Sequence, residues 1–264
     1  MRCLSVAAAL LGLVPGVAAA HEAGAVRIDA TAAPWTVVGG SVAIRGSVTP
    51  HPPGLAVTLE QRSGAGWLAV GSATVGGAGT FSFRARPARV GVATYRVVTT
   101  RGSSFAGASD KVPVRVLHWV YVDSVPTFAY APPLSGEVTS DPVESAGVRY
   151  DHPVSLDAGC YNQWGGDAWV DYTLERQYEA FSATVGLDDS APSGQTATYS
   201  VVGGDGRKLA SGSLVAGTAT KISVSLAGEY RLRLRVNVPD PYNAAGCAAT
   251  YTKVVFGDAE LLGP

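Results

Sequence analysis

Apolar and polar residues alternate in short runs through the first half of the chain. The alternation is clear in Phe81-Ser82-Phe83-Arg84 and again in Tyr95-Arg96-Val97. A period of two places successive side chains on opposite faces of a β-strand. Seven strands are predicted, at Ala25–Ala30, Ser41–Val48, Leu55–Arg62, in the runs that begin at Trp67, Gly79 and Ala93, and at Val112–Trp119.

Short strands at this spacing, separated by turn-forming residues, favour an immunoglobulin-like β-sandwich over residues 25–117. The segment Gly46–Phe83 also resembles the Ig-like spacer domains of bacterial exported proteins. In that resemblance Trp67 opens a strand, and Phe81 and Phe83 belong to the next hairpin. No cysteine lies in this region, so the inter-sheet disulfide of antibody domains is absent.

A different composition begins near residue 118. The apolar segment His118–Pro126 predicts a strand, and Pro132, Pro133 and Pro142 then predict a long irregular connection. We therefore interpret residues 118–148 as a linker with a first strand, and residues 149–264 as a second β domain. Early strands are expected around Tyr150 and at Val154–Leu156, and Glu175–Tyr178 is expected to form a turn.

Several phrases of the second domain occur in an order that resembles a known family. They are Tyr178–Phe181, Val185–Asp189, Ala197–Gly212, Leu226–Val236 and Phe256–Leu261. In this order they resemble the NPCBM family of carbohydrate-binding modules, which are often appended to secreted glycosidases. The resemblance implies a β-sandwich of the jelly-roll, galactose-binding-like type that holds a glycan in its loops and does no chemistry. The predicted fold class is all-β, with two β-sandwiches in tandem.

The N-terminus has the features of a signal peptide over residues 1–20. Arg2 precedes the apolar run Val6–Val14, which is shorter than the about 20 residues that span a bilayer. Ala18 and Ala20 fit a cleavage site before His21. The mature protein is therefore expected to be secreted and extracellular, without a membrane span; the alternative is an uncleaved N-terminal anchor.

Charge and composition narrow the function classes. With 20 basic and 21 acidic residues the formal net charge is -1, so no basic field favours nucleic acid. The abundance of Ala, Gly and Val is typical of a bacterial protein from a GC-rich genome.

Two cysteines, Cys160 and Cys247, remain after removal of the signal peptide. An even pair in an oxidising compartment predicts a disulfide. The alternatives are two free thiols or half of a metal site, but neither cysteine lies in a C-x-x-C motif or near a histidine.

Candidate sugar-binding residues lie in the two segments that this bridge would join. Sugar sites combine an aromatic ring with amide and carboxylate groups, and both segments supply them. The candidates are Tyr161, Asn162, Trp164, Asp167, Tyr242 and Asn243. Trp164 could instead fill the core, Trp169 is expected to do so, and the segment Val238–Cys247 could be an ordinary turn.

Two further motifs have structural interpretations. The family places a tryptophan in an acidic phrase before its last strand, where this chain offers Tyr251. The pair Asp188-Asp189 could bind calcium, but its place before Ser190 and Pro192 favours turn capping, and no cofactor is expected. Gly204-Asp205-Gly206 predicts a type I′ hairpin.

No catalytic motif stands out. Asp151 and His152 are neighbours on a strand-like segment and would point to opposite faces, so they do not form part of a triad. The sequence therefore predicts a non-enzymatic protein whose partner is a glycan or polysaccharide. The alternative is a structural or protein-interaction module that contacts a cell-envelope protein of a bacterium.

Overall fold

The computed structural model describes residues 24–130, 138–158, 166–238 and 252–264. These residues form strands and turns with a single three-residue 3₁₀ helix among them, so the predicted all-β class is confirmed. They divide into two compact units: the first comprises residues up to 33, Val42–Ala85 and Thr94–Val114, and the second Pro34–Ser41, Arg86–Ala93 and the chain from Arg115 onward.

The first unit contains six of the seven predicted strands and the start of the seventh, Val112–Trp119, most of which belongs to the second unit. Its elements are β1 (Gly24–Ala25), β2 (Arg27–Ala32), β4 (Val42–Thr49), β5 (Ala56–Ser63), β6 (Gly66–Thr74), β7 (Thr80–Ala85), β9 (Phe105–Ala106), most of β8 (Gly91–Thr99) and the start of β10 (Val112–Tyr121). Strands β2, β4 and β7 form one antiparallel sheet, and β8, β5 and β6 are neighbours in another. The alternation that predicted β7 is observed, since Phe81, Phe83 and Ala85 are buried.

The second unit contains two main sheets. The remaining elements are β3 (Trp35–Val37), the 3₁₀ helix (Val122–Ser124), β11 (Thr127–Tyr130), β12 (Val138–Thr139), β13 (Val143–Ser145), β14 (Val148–Tyr150), β15 (Val154–Ala158), β16 (Gly166–Thr173), β17 (Ala180–Leu187), β18 (Thr196–Gly203), β19 (Lys208–Val215), β20 (Ala219–Ser225), β21 (Arg231–Val238) and β22 (Thr252–Gly263). One sheet has the order β11-β16-β21-β18-β19. In the other, β22 pairs with β15 on one side and with β17 on the other, and β17 also pairs with β20.

A continuous apolar core lies between these two sheets. Val170 and Leu234 enter it from the five-stranded sheet, and Phe181 and Phe256 enter it from the other sheet. The rings of Tyr199 and Phe256 meet edge to face across the core, with their centres 6.3 Å apart. The second unit is therefore a β-sandwich.

Local predictions in the second unit have mixed outcomes. Glu175 and Arg176 form the expected turn, both with positive φ. Gly203 and Arg207 close the expected hairpin, but only Gly206 has a positive φ, so the turn is not of type I′, which requires two such residues. The segment expected to be irregular contains the short strands β11, β12 and β13.

The described part of the chain holds no helix with the length and apolar character needed to span a bilayer.

Candidate functional site

The face of the five-stranded sheet that points away from the core is called the outer face. On β16, Ala168, Val170 and Tyr172 are buried in the core, and the alternating residues Asp167 and Trp169 point to the outer face, where both contact side chains of β21. The expectation that Trp169 fills the core is therefore wrong. Side chains in this strand alternate between the two faces of the sheet, and the residues on either side of Trp169 are the ones that point inward.

Strand register arranges the polar side chains of the outer face in rows. Asp167 is paired with Asn237, Asn237 with Thr198, and Thr198 with Ser213. The next row contains Trp169, Arg235, Ser200 and Ser211 in the same strand order. Because paired residues share one face of a sheet, carboxylate, amide and hydroxyl groups lie side by side across four strands.

An open depression of about 490 Å³ lies over these rows; we call it the polar groove. Its lining residues carry charged, amide and hydroxyl groups in addition to backbone. They are Asp167, Thr198, Tyr199, Ser200, Lys208, Ser211, Gly212, Ser213, Arg235, Val236 and Asn237.

Asp167 is held at the end of the polar groove by two side chains of β21. Arg235 donates from Nη2 to Oδ2 at 2.5 Å, and Asn237 donates from Nδ2 to Oδ1 at 2.8 Å. These bonds fix the carboxylate and both donors in place. The three groups are thus ordered before any ligand arrives, which lowers the entropy lost on binding.

A second acidic residue, Asp171, joins two arginines further along the outer face. Arg233 donates to both of its carboxylate oxygens, at 2.6 and 2.8 Å, and Arg231 lies 3.6 Å from it. The hydrogen bond with Asp171 raises the pKa of Arg233 above its ordinary value. The guanidinium of Arg233 also lies 4.1 Å from the ring centre of Trp169, a cation–π distance.

A second depression, of about 500 Å³, lies at the end of the sheet where β16 finishes; we call it the aromatic groove. Its lining residues are Val125, Pro126, Thr127, Phe128, Thr173, Leu174, Glu175, Gln177 and Tyr178. A register shift in β11 occurs at Phe128, and such a bulge redirects a side chain. Phe128 is 60% exposed, with the guanidinium of Arg231 4.3 Å from its ring centre.

Side chains of the turn after β16 complete the aromatic groove. Gln177 donates to Glu175 at 2.9 Å. Burial, and secondarily the charge of Glu175, raise the pKa of Tyr178 above its ordinary value. Glu175 and Arg176 have φ values of 51° and 59°, a backbone region that costs energy for residues other than glycine and that is concentrated at functional sites.

The Asp188-Asp189 pair caps turns, as the sequence favoured. Asp188 accepts a hydrogen bond from the Ser190 amide at 2.7 Å, and Asp189 accepts one from the Gly147 amide at 2.8 Å. Within the described ranges, no group of three or more histidine, cysteine, aspartate or glutamate residues has the geometry to hold a metal ion.

His152 has a partner other than its sequence neighbour. Its Nδ1 lies 2.9 Å from Oδ2 of Asp123, and its ring stacks on Tyr121 with 4.0 Å between ring centres. Asp151 instead accepts from Arg149 at 3.0 Å. The two neighbours therefore point to different partners, in agreement with the interpretation that they are not part of a triad.

Of the predicted sugar-binding residues, Asp167 is the one in the described part of the chain. Tyr161, Asn162, Trp164, Tyr242 and Asn243 lie outside the described residues, as do Tyr251 and both residues of the predicted disulfide, Cys160 and Cys247. The described residues that flank these segments are paired: Ala158 with Thr252, and Gly166 with Val238. The site predicted in these segments stays a prediction.

Sequence reasoning missed the basic row of the outer face. Arg231, Arg233 and Arg235 alternate with leucine in β21, and this pattern alone indicates a strand with one apolar and one cationic face. The carboxylates that pair with them come from β16, which is distant in the sequence. Only the pairing of β16 with β21 brings the two sets together.

Comparison with known proteins agrees with the resemblance seen in the sequence. Residues 138–261 match the model of the NPCBM/NEW2 domain. The chain therefore carries an NPCBM/NEW2 domain, which occupies most of the second unit. Among curated proteins, none matches this chain.

Two solved structures are similar to parts of the chain. One contains CBM51-2, in complex with GlcNAc, and INT domains of Clostridium perfringens ZmpB; it is 14% identical, covers 66% of this chain and has a TM-score of 0.44. This chain spans 38% of the length of that one. The other is CBM51 from C. perfringens GH95 in complex with methyl-galactose, with 22% identity, coverage of 55% of this chain and 99% of that one, and a TM-score of 0.42.

Proposed function

We propose that this is an exported, non-catalytic glycan-binding protein and that the polar groove is part of its binding site. The observation that carries the proposal is the pair of cross-strand rows that begin at Asp167 and Trp169. They present carboxylate, amide, guanidinium and hydroxyl groups on one surface, beside an indole ring. The hydroxyl groups of a sugar can form hydrogen bonds with these polar groups, and its apolar C–H patches can stack on the ring.

The other candidate residues lie next to the same strands in the sequence. Asp167 and Asn237 are each one residue from the Gly166–Val238 pair, where the described strands end. Tyr161, Asn162 and Trp164 precede β16 directly, and Tyr242 and Asn243 follow β21. Their sequence positions, next to the paired ends of β16 and β21, support a site to which both the polar groove and these residues contribute.

The charges of the polar groove favour binding over hydrolysis. Glycoside hydrolysis ordinarily uses two carboxyl groups on either side of the scissile bond. Among the described residues that line the groove, Asp167 is the sole carboxylate, and Arg235 and Asn237 already bond to it. A carboxylate with these two partners is suited to accepting a hydrogen bond from a sugar hydroxyl group.

Export is supported by the N-terminal sequence. A basic residue, an apolar run and a small-residue cleavage site precede His21. N-terminal sequencing of protein from the culture medium tests this part of the proposal. A mature terminus at His21 is expected, and an intact Met1 on cell-associated protein would contradict it.

Binding is tested with the full mature chain in affinity electrophoresis through soluble galactan, xylan, mannan and β-glucan, together with a glycan array. We expect retardation by at least one glycan. Arg235→Ala should weaken it about tenfold, a loss of about 1.4 kcal/mol, because Arg235 lines the groove and orients Asp167. The matched control is Arg27→Ala, which breaks the exposed ion pair between Arg27 and Asp29 in the first unit.

The outcomes distinguish glycan binding from a protein-interaction function. A folded chain that no glycan retards overturns the proposal and favours the protein-interaction alternative. Equal losses from Arg235→Ala and Arg27→Ala would show that binding takes place away from the polar groove.

A further inference from the structure

We propose that the outer face binds the interior of an extended polysaccharide, with one chain lying across both the polar groove and the aromatic groove. This inference rests on the proposed glycan-binding function. It adds a second subsite, at the aromatic groove, and defines the ligand class as a chain of several sugar units.

The two grooves lie at opposite ends of the same strand. Asp167, at the start of β16, lines the polar groove, and Thr173, at its end, lines the aromatic groove. At about 3.4 Å for each residue of an antiparallel strand, these positions are about 20 Å apart. One sugar ring cannot reach both ends, whereas an oligosaccharide can.

A series of side-chain contacts connects the two grooves. Trp169 is paired with Arg235 of the polar groove and lies beneath the guanidinium of Arg233. Arg233 and Arg231 share Asp171, and Arg231 lies over Phe128 of the aromatic groove. Aromatic rings and fixed hydrogen-bonding groups thus alternate from one groove to the other.

The aromatic groove has the composition of a sugar subsite. Phe128 supplies an exposed ring, and Thr173, Glu175 and Gln177 supply hydroxyl, carboxylate and amide groups on the same depression. The bond between Gln177 and Glu175 orders two of them. An exposed aromatic ring next to such groups suits a ligand that is apolar on its faces and polar at its edges.

The two-groove arrangement predicts that affinity depends on chain length. The test measures, by isothermal titration calorimetry, binding of the disaccharide and the hexasaccharide prepared from whichever polysaccharide retards the mature chain. Because the second groove adds contacts without a second loss of translational freedom, the hexasaccharide should bind at least about tenfold more tightly.

A pair of variants locates the added affinity. Phe128→Ala should weaken hexasaccharide binding about tenfold, on the scale of lost aromatic stacking, and leave disaccharide binding at the polar groove unchanged. Tyr130→Ala is the matched control, since Tyr130 lies on the same strand, is 55% exposed against 60% for Phe128, and lines neither groove. Gln177→Ala is a second test of the same groove and should also weaken only the longer ligand.

The failures can be told apart. Equal affinities for the two oligosaccharides, or a hexasaccharide affinity that Phe128→Ala and Gln177→Ala leave unchanged, overturn this inference and leave the proposed function intact. Binding of a monosaccharide on the array without retardation by any polysaccharide has the same consequence. Absence of binding to every glycan overturns both.

Discussion

Arg233 contacts Asp171 and Trp169 at the same time. Its guanidinium donates to both carboxylate oxygens of Asp171, at 2.6 and 2.8 Å, and lies 4.1 Å from the ring centre of Trp169. Asp171 is only 1% exposed although it faces away from the core. The arginine and the side chains around it therefore cover a charge that would otherwise face water.

Removal of Arg233 should destabilise the second unit. Arg233→Ala leaves the buried carboxylate of Asp171 with the more distant Arg231, and loss of one partner of a buried ion pair costs about 3 kcal/mol. Arg231→Ala removes a contact at 3.6 Å from a partly exposed side chain, for which we expect less than about 1 kcal/mol. Urea unfolding of both variants measures the difference, and equal losses would contradict this account of Asp171.

Tyr172 should limit stability at alkaline pH. Burial of its phenol, and secondarily the charge of Asp123, raise its pKa well above the ordinary value of 10.0. The folded state then holds its proton more tightly than the unfolded chain does, so this stabilisation is complete below about pH 10 and is lost as the pH rises further. Tyr172→Phe should flatten the decline in unfolding free energy above pH 10.

Thermal unfolding followed between pH 8 and 11 measures this effect. Tyr130→Phe is the control, because Tyr130 is 55% exposed. A decline that is equally steep in Tyr172→Phe and in the unaltered chain would show that other groups determine the alkaline limit.

Trp164 should contribute to glycan binding by stacking. Trp164→Ala is expected to weaken binding of the retained polysaccharide by about 1–3 kcal/mol, the scale of aromatic stacking on nucleic-acid bases. Trp119→Ala is the control, since Trp119 is 40% exposed on β10 and lines neither groove. Affinity electrophoresis compares the two, and a folded Trp164→Ala chain with unchanged affinity would remove this residue from the site.

The exported protein should contain a Cys160–Cys247 disulfide. Ala158 and Thr252 are paired in the second unit, and in the sequence Cys160 follows Ala158 by two residues while Cys247 precedes Thr252 by five. Closing a loop of about 88 residues is expected to stabilise the fold by roughly 4–5 kcal/mol. The double variant Cys160→Ser/Cys247→Ser should lose this amount in urea unfolding.

Mass spectrometry after alkylation checks the bridge itself. Without a reducing agent, neither cysteine should be alkylated. Two alkylated cysteines in protein from the medium would contradict the prediction.

Most of the longer strands of both units could be predicted because their signal is local. In β7, each apolar residue has a polar neighbour on either side, and burial follows that order. In the same way the leucines of β21 are buried and its arginines alternate with them. A side chain on a strand points to one of two faces, and the positions of the apolar residues indicate which face packs against the core.

Trp169 shows where the local signal failed. A tryptophan in an apolar run was expected in the core, but Ala168 and Val170 occupy the inward phase of β16. Which alternate residues of a strand face the core depends on the whole strand and on its partner strands, and not on its most apolar side chain. The surface position of Trp169 is then stabilised by Arg233, a residue of another strand.

The sequence by itself determined the all-β class, most of the longer strands and the family that residues 138–261 match, because these depend on a period of two and on phrases in a fixed order. The tertiary structure alone decided which strands are neighbours, and so which side chains share the outer face. Asp167 joins Asn237 and Arg235, and Phe128 joins Arg231, only after β16, β21 and β11 pair in register. Contacts between residues distant in the sequence require strand pairing, which the alternation of single strands does not specify.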